Sequence, residues 1–207
     1  LPRACAATQS ASCSSAAEPS ARAWQAHSLR ILLALLLLVS GMPAVPADAV
    51  LAGRVTRVID GDTLDVLLAT GRIRVRLHGV DAPERSQSGG NEATQWLRQQ
   101  VLNQDVLLEP VSQDRYERMV AIVYAGDVIV NRELLRTGTA WAYRHYLRGA
   151  DRLYCDIEAT ARAEHRGLWR AGAAHAPWEY RRTAGRGPFT DYSRQSARDC
   201  WRLRKKT

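Results

Sequence analysis

The sequence predicts an α+β fold, mainly β: a small Greek-key barrel of five strands carrying about three helices, within 207 residues. Three observations carry this. The runs LAGRVTRVI (51–59) and RIRVRLHGV (72–80) alternate apolar and polar residues, as half-buried strands do. Turn residues separate the runs: Asp60-Gly61-Asp62, Thr70-Gly71 and Ala125-Gly126-Asp127. Helical spacing of apolar residues begins only after the third run, at Ala93, Trp96, Leu97 and Val101.

In order, the first strand is 51–59 and the second is TLDVLLA (63–69). In the third, Ile73, Val75 and Leu77 share one face, with Arg72, Arg74, Arg76 and His78 on the other. Short turns make these three a meander. Asp81-Ala82-Pro83-Glu84 ends the third strand, because proline cannot continue a ladder. A polar, Gly-rich loop (85–91) leads into a helix near Glu92–Leu102. DVLLEPV (105–111) and MVAIVY (119–124) are the last two barrel strands. VNRELLRTG reads as a short helix ended by Gly138. TAWAYRHY (139–146) is aromatic and partly extended. Residues 151–166 form the last helix, with Leu153 and Ile157 inward and Gly167 ending it. Five strands with a helix after the third and helices at the end make a five-stranded OB-fold Greek-key barrel. That architecture says little about function by itself.

The chain begins differently. ILLALLLLV (31–39) follows Arg22 and Arg30 and precedes small residues, with a cut expected after Ala47 or Ala49. The run is far shorter than the about 20 apolar residues of a membrane span. A cleaved export signal over 1–47 is therefore expected, an uncleaved N-terminal anchor being the alternative. That places the mature protein outside the cytoplasm, periplasmic or secreted, with no stable membrane insertion. Residues 48–175 are then the folded domain and 176–207 a basic extension. The whole chain has net charge +8, and 27 of its 29 basic residues are arginines. Arginine suits bidentate phosphate contact. Of four cysteines, Cys155 and Cys200 remain after the signal. In an oxidising compartment they can pair and staple the C-terminal tail to a helix; two free thiols are the other reading.

Residues 58–84 hold the chemistry. Asp60, Asp62, Asp81 and Glu84 lie close in sequence to Arg76, separated by short strands. Taken singly, D-G-D is a hairpin turn, D-A-P-E a strand terminator, and Arg76 or Arg118 a solvated charge. Together, acids at the ends of a strand pair with an arginine between them are the parts of a metal-assisted phosphate site. No G-x-S-x-G elbow, Walker-type run or paired zinc spacing is present.

The motifs VIDGDT (58–63), RLHGVDAPE (76–84), DRYER (114–118) and RGLW (166–169) resemble, in that order, the staphylococcal nuclease (thermonuclease) family over roughly residues 52–170. The resemblance implies an OB-fold barrel, Ca2+ dependence, and hydrolysis of DNA and RNA with low sequence specificity to 3′-phosphate ends. Single-stranded or frayed nucleic acid and a monomeric enzyme are expected with it. It implies Asp62 and Asp81 as metal-ligating carboxylates and the backbone carbonyl of Ala82 as a third ligand. Glu84 matches the acid that activates water, and Arg76 and Arg118 match the phosphate-binding pair. Asp60 falls behind the ligands. Tyr116 and Arg115 match positions beside the nucleotide, and Tyr143 or Tyr146 supplies a further contact, with Tyr146 preferred. One departure stands out: Glu117 replaces the family's common glycine, where it would pair with Arg118 or repel phosphate, and would strain a turn of positive φ. A non-catalytic binding module on the same barrel is the competing reading. Retention of both arginines and all three acids favours the enzyme. A third reading, an envelope protein whose basic tail binds a surface or a partner, rests on residues 186–207 alone.

Overall fold

The computed structural model of the protein describes residues 50–203. The export signal expected over 1–47 and the terminal basic residues Arg204, Lys205 and Lys206 lie outside the described residues. Among those described, no helix is long and apolar enough to cross a membrane.

Strands β1 (Leu51–Val58), β2 (Thr63–Leu68) and β3 (Gly71–Leu77) form the antiparallel meander expected. β1 also pairs with β5 (Asp105–Gln113), which pairs with β6 (Met119–Ala125). β6 then runs parallel to β3, through Val75↔Met119 to Leu77↔Ala121, and closes a mixed barrel of five strands. The alternation explains the closure. Val55, Leu64, Val66, Val75, Leu108, Ala121 and Val123 all point inward, with no exposed surface. Each buried Val or Leu contributes about 1.5–3 kcal/mol. Pro110 sits in β5 where the register shifts between Pro110 and Ser112, a bulge that tolerates the missing N–H.

Helix α1 (Gly90–Val101) lays Ala93, Leu97 and Val101 against the barrel and starts two residues earlier than predicted. A two-residue strand β7 (Val128–Ile129) leads into α2 (Val130–Arg136). The fully buried Asn131 on α2 accepts a hydrogen bond from Val123 N–H at 2.9 Å and donates to the carbonyls of His78 (2.9 Å) and Ala121 (3.2 Å). This bolts β6 to the turn that leads into β4 (Val80–Asp81). β4 pairs with β8 (Trp141–Ala142), the extended part of the aromatic run.

Helix α3 (Arg152–Ala163) follows a 3-10 turn at Gly149–Asp151. Here the sequence expectation needs correction. Leu153 faces solvent at 42% exposure, and the inward face is Tyr154, Cys155, Glu158, Ala161 and Arg162. Apolar spacing misjudged the face because the helix buries an ion pair, Glu158–Arg162, on its core side. Nor is α3 the last helix, or Gly167 its end. The helix stops at Ala163, and Gly167 opens a 3-10 turn to Ala171. Two more helices follow, α4 (Pro177–Thr183) and α5 (Ala197–Leu203). A Cys155–Cys200 disulfide ties α5 to α3, the pairing the two cysteines allowed. Ala176, Trp178 and Tyr192 pack with Trp141, Ala161 and Trp169 in a small second apolar cluster.

Candidate active site

The turn between β1 and β2 builds the first half of the site. Asp60 Oδ1 accepts the Asp62 N–H at 3.1 Å, and Ile59 N–H reaches Thr63 O at 2.9 Å. Gly61 is required for space: a Cβ there would lie 2.6 Å from the Ala82 Cβ and 2.8 Å from that of Ala93. The two acidic segments therefore pack directly on each other. Asp62 Oδ2 accepts the Ala82 N–H at 2.8 Å, and Leu77 N–H donates to Asp62 O at 2.9 Å. Arg76, held in β3 between Thr63 of β2 and Val120 of β6, inserts between the carboxylates. Its guanidinium pairs with Asp62 Oδ2 and with Asp81 Oδ1, the latter at 2.9 Å. Asp81 is fully buried and Asp62 nearly so. Asp60, Asp62, Arg76, Asp81 and Ala82 thus come together as their order suggested.

Glu84 stands at the rim. Its N–H donates to Gln87 Oε1 at 3.2 Å, and its carbonyl accepts the Gln87 N–H at 2.8 Å. The loop returns so closely that a Cβ on Gly90 would lie 1.9 Å from Glu84 O. The backbone is pinned while the side chain keeps 40% exposure.

Arg118 arrives from the turn before β6. Asp114 organises that turn: Oδ1 accepts the N–H of Tyr116 (2.8 Å) and of Arg118 (3.0 Å), and Oδ2 accepts Arg118 Nε (2.7 Å). Arg118 Nη1 lies 3.5 Å from Thr63 Oγ1, which donates to Asp62 Oδ1 at 3.1 Å. Thr63, overlooked in the sequence, links the second arginine to the first carboxylate. Arg118 pairs with Asp114 and not with Glu117. Glu117 does adopt the left-handed backbone, at φ 62°. Left-handed backbone costs a residue with a Cβ roughly 1–2 kcal/mol. Glu117→Gly is therefore expected to raise stability by about 1 kcal/mol, read as a higher denaturant midpoint. An unchanged or lower midpoint would count against a strained turn.

Arg115 and Tyr116 project together from the same turn, with Arg115 Nη2 2.8 Å from Tyr116 Oη and the Tyr116 ring largely exposed. The Tyr143 ring lies beside the cluster, with the Arg76 guanidinium 5.9 Å from its centroid. Tyr146 sits behind it at 4.7 Å, ring to ring, and faces solvent. His78 lies just past β3, buried, with Nε2 3.2 Å from Asp151 Oδ2.

One further side chain enters the cluster from α4. Arg181 spans both oxygens of Asp81, at 3.1 and 2.8 Å, and reaches Glu84 Oε1 at 2.8 Å. Nothing in the pattern around 181 marks it, because an arginine on a short polar helix reads as a solvated charge.

Burial and crowding set the electrostatics. Burial, and then the neighbouring Asp62 charge, pushes Asp60 up to about 6. Asp81 is likewise pushed up to about 6, because burial raises it more than the guanidiniums of Arg76 and Arg181 lower it. Burial opposes the charge on Arg76, but Asp62, Asp81 and Asp60 outweigh it and hold its pKa above the ordinary value. Four carboxylates (Asp60, Asp62, Asp81, Glu84) here face the two guanidiniums of Arg76 and Arg181.

That excess of negative charge, presented by hard oxygen donors, fits a divalent cation such as calcium or magnesium. Asp62, Asp81 and the Ala82 carbonyl would hold it. Among the described residues, no three Asp, Glu, His or Cys side chains already converge on one point. Guanidiniums bridge the acids instead.

The sequence is similar to those of known proteins. The family profile described as "Staphylococcal nuclease homologue" matches residues 74–171. The chain is 38% identical over 163 residues to a protein named micrococcal nuclease from Shigella flexneri, across 74% of this chain and 91% of that protein. It is 40% identical over 163 residues to Protein ParB of Escherichia coli, across 74% and 90%. It is 36% identical over 154 residues to an uncharacterized endonuclease of Escherichia coli O157:H7, across 74% and 98%.

Proposed function

The chain belongs to the staphylococcal nuclease family, metal-dependent enzymes that hydrolyse phosphodiester bonds, and from that premise we propose a calcium-dependent endonuclease that cuts DNA and RNA with little sequence preference and leaves 3′-phosphate ends. The observation that carries this reading is the convergence of Asp62, Asp81 and Arg76 at the mouth of the barrel, with Arg118 joined to them through Thr63.

The residues act as follows. Calcium, when bound, supplies Lewis-acid polarisation of a phosphate oxygen. Glu84 accepts the proton of the attacking water at its carboxylate; general-base action is worth ~10²–10⁴-fold. Arg76 and Arg118 donate charge-assisted hydrogen bonds to the equatorial phosphate oxygens, where negative charge grows as the water oxygen bonds to phosphorus. The phosphorus–O5′ bond breaks, the 5′-oxygen leaves and takes a proton from solvent to become a 5′-hydroxyl, and phosphate stays on the 3′ side. Tyr116, Tyr143 and Tyr146 offer aromatic faces to unstacked bases and Arg115 offers a guanidinium, which supports a preference for single-stranded or frayed ends. The apolar run at 31–39 and the Cys155–Cys200 disulfide support an exported, periplasmic or secreted enzyme.

Purified chain is expected to degrade single-stranded DNA and RNA with calcium and to stop when a chelator is added, leaving phosphatase-sensitive 3′ ends. Activity restored by magnesium but not by calcium would replace the metal. Phosphatase-resistant 3′ ends would reverse the direction of cleavage.

A further inference from the structure

Arg181 differs from Arg76 and Arg118 in coming from outside the barrel. Its Nη1 and Nη2 engage Asp81 Oδ1 (3.1 Å) and Oδ2 (2.8 Å), Nη1 also holds Glu84 Oε1 (2.8 Å), and Nη2 lies 3.4 Å from Tyr143 Oη. Arg76 takes Asp81 Oδ1 as well, at 2.9 Å. Both oxygens of Asp81 are therefore engaged by guanidinium N–H groups. A bidentate arginine–carboxylate pair is the strongest form of such a contact. A cation that needs an Asp81 oxygen facing Glu84 meets Arg181 first.

The residues around Arg181 are built to deliver it there. Ala176, just before α4, is fully buried, and Pro177 opens the helix. Trp178 packs edge-on to Trp141 at 5.4 Å and lies parallel to Tyr143 at 6.1 Å. The buried Glu179 carboxylate accepts hydrogen bonds from Thr190 N–H (3.0 Å), Thr190 Oγ1 (2.8 Å) and Tyr192 Oη (2.8 Å). Tyr180 Oη donates to the Ser86 carbonyl at 3.2 Å, on the loop that carries Glu84. The three residues before Arg181 are each anchored, yet its own side chain keeps 40% exposure. It can swing into solvent without unwinding α4.

We propose that Arg181 is an internal counter-cation: it occupies Asp81, one of the two carboxylates that would hold the divalent cation, together with Glu84, and must be displaced before metal and water can enter, so that the C-terminal segment sets the metal concentration at which the nuclease becomes active. The proposal rests on reading these carboxylates as a metal site. Displacement also frees Glu84 to accept a proton, so one movement completes both the metal site and the base. At low divalent-cation concentration the chain is then held inactive by its own α4.

Calcium binding to the full chain, disulfide intact and nucleic acid absent, tests this by titration calorimetry. Arg181→Met removes the charge and keeps most of the side chain's length. It is expected to bind calcium about 10-fold tighter than the parent, the loss of one charge-assisted competitor. Arg181→Lys, which keeps the charge but not the fork, should fall between the two. Unchanged or weaker calcium affinity in Arg181→Met overturns the proposal. So does unchanged calcium affinity with weakened binding of a deoxyoligonucleotide, which would make Arg181 a phosphate ligand. If neither parent nor variant binds calcium, the metal reading fails as well, and that outcome is distinct from equal binding by both. The parent alone supplies a second measurement: the Arg181 Nε–H resonance is expected to shift at saturating calcium. A resonance unmoved by bound calcium overturns the displacement.

Discussion

Arg76→Ala is expected to lower turnover by at least ~10²-fold and to cost about 3–5 kcal/mol of stability at the same time. The two effects share one cause. Arg76 is the guanidinium between Asp62 and Asp81, and only 11% of its side chain is exposed. Removing it strips the phosphate of a donor and leaves buried carboxylates facing each other. Arg118→Ala provides the contrast. It should lose activity to a similar degree, at least ~10²-fold, with little change in stability. Its ion pair with Asp114 is partly exposed, and such pairs are worth only about 0–1 kcal/mol. Saturating kcat on single-stranded DNA and a urea denaturation curve for each variant separate the cases. Near-normal turnover in Arg118→Ala would remove it from the phosphate site. Parent-like stability in Arg76→Ala would mean that the buried acids do not depend on it.

Glu158→Ala should be the most destabilising change far from the chemistry, by about 3–5 kcal/mol. Glu158 has no exposed surface, pairs with Arg162 and with Arg144 (3.5 Å), and accepts the Ala142 N–H at 2.7 Å. Both arginines are themselves buried. Burial pushes Arg144 down to about 10 and Arg162 to about 9, so both still carry charge at neutral pH. Alanine would leave two buried guanidiniums without this carboxylate and one buried N–H unpaired. Ala142 lies in β8, whose partner β4 carries Asp81, so the site is lost when this region unfolds. The denaturation midpoint is expected to fall while kcat at low temperature stays near the parent value. Glu158→Gln, which keeps an acceptor for Ala142 N–H, should lose less. A loss under about 1 kcal/mol in Glu158→Ala would show that the surrounding core holds without the ion pair.

How legible these features were follows from the range of the forces behind them. Alternation over 51–59 and 72–80 revealed the strands, because one face of each is buried and side chains repeat every two residues. The D-G-D and D-A-P-E segments revealed the acids, because turns and a proline place them at strand ends. The strained Glu117 was visible as a departure at a position where glycine fits. The inward face of α3 was misjudged, since it carries Glu158 and Arg162 and apolar spacing does not register a buried ion pair. The preference for Tyr146 over Tyr143 had no local basis, because they lie three residues apart and only packing against Trp178 and Arg76 distinguishes them.

By itself, the sequence determined the barrel strands and the placement of the acids at strand ends. These depend on local turns and on periodicity, and both are written in neighbouring residues. The tertiary structure alone decided how those acids are balanced. Arg181 meets Asp81 across 100 residues of chain, and Glu158 reaches Ala142 across 16. Neither meeting leaves a local pattern, because a charged side chain on a helix looks the same whether it faces water or a buried carboxylate. Only long-range packing of α4 against the Glu84 loop, and of α3 beneath β8, turns those charges toward the site.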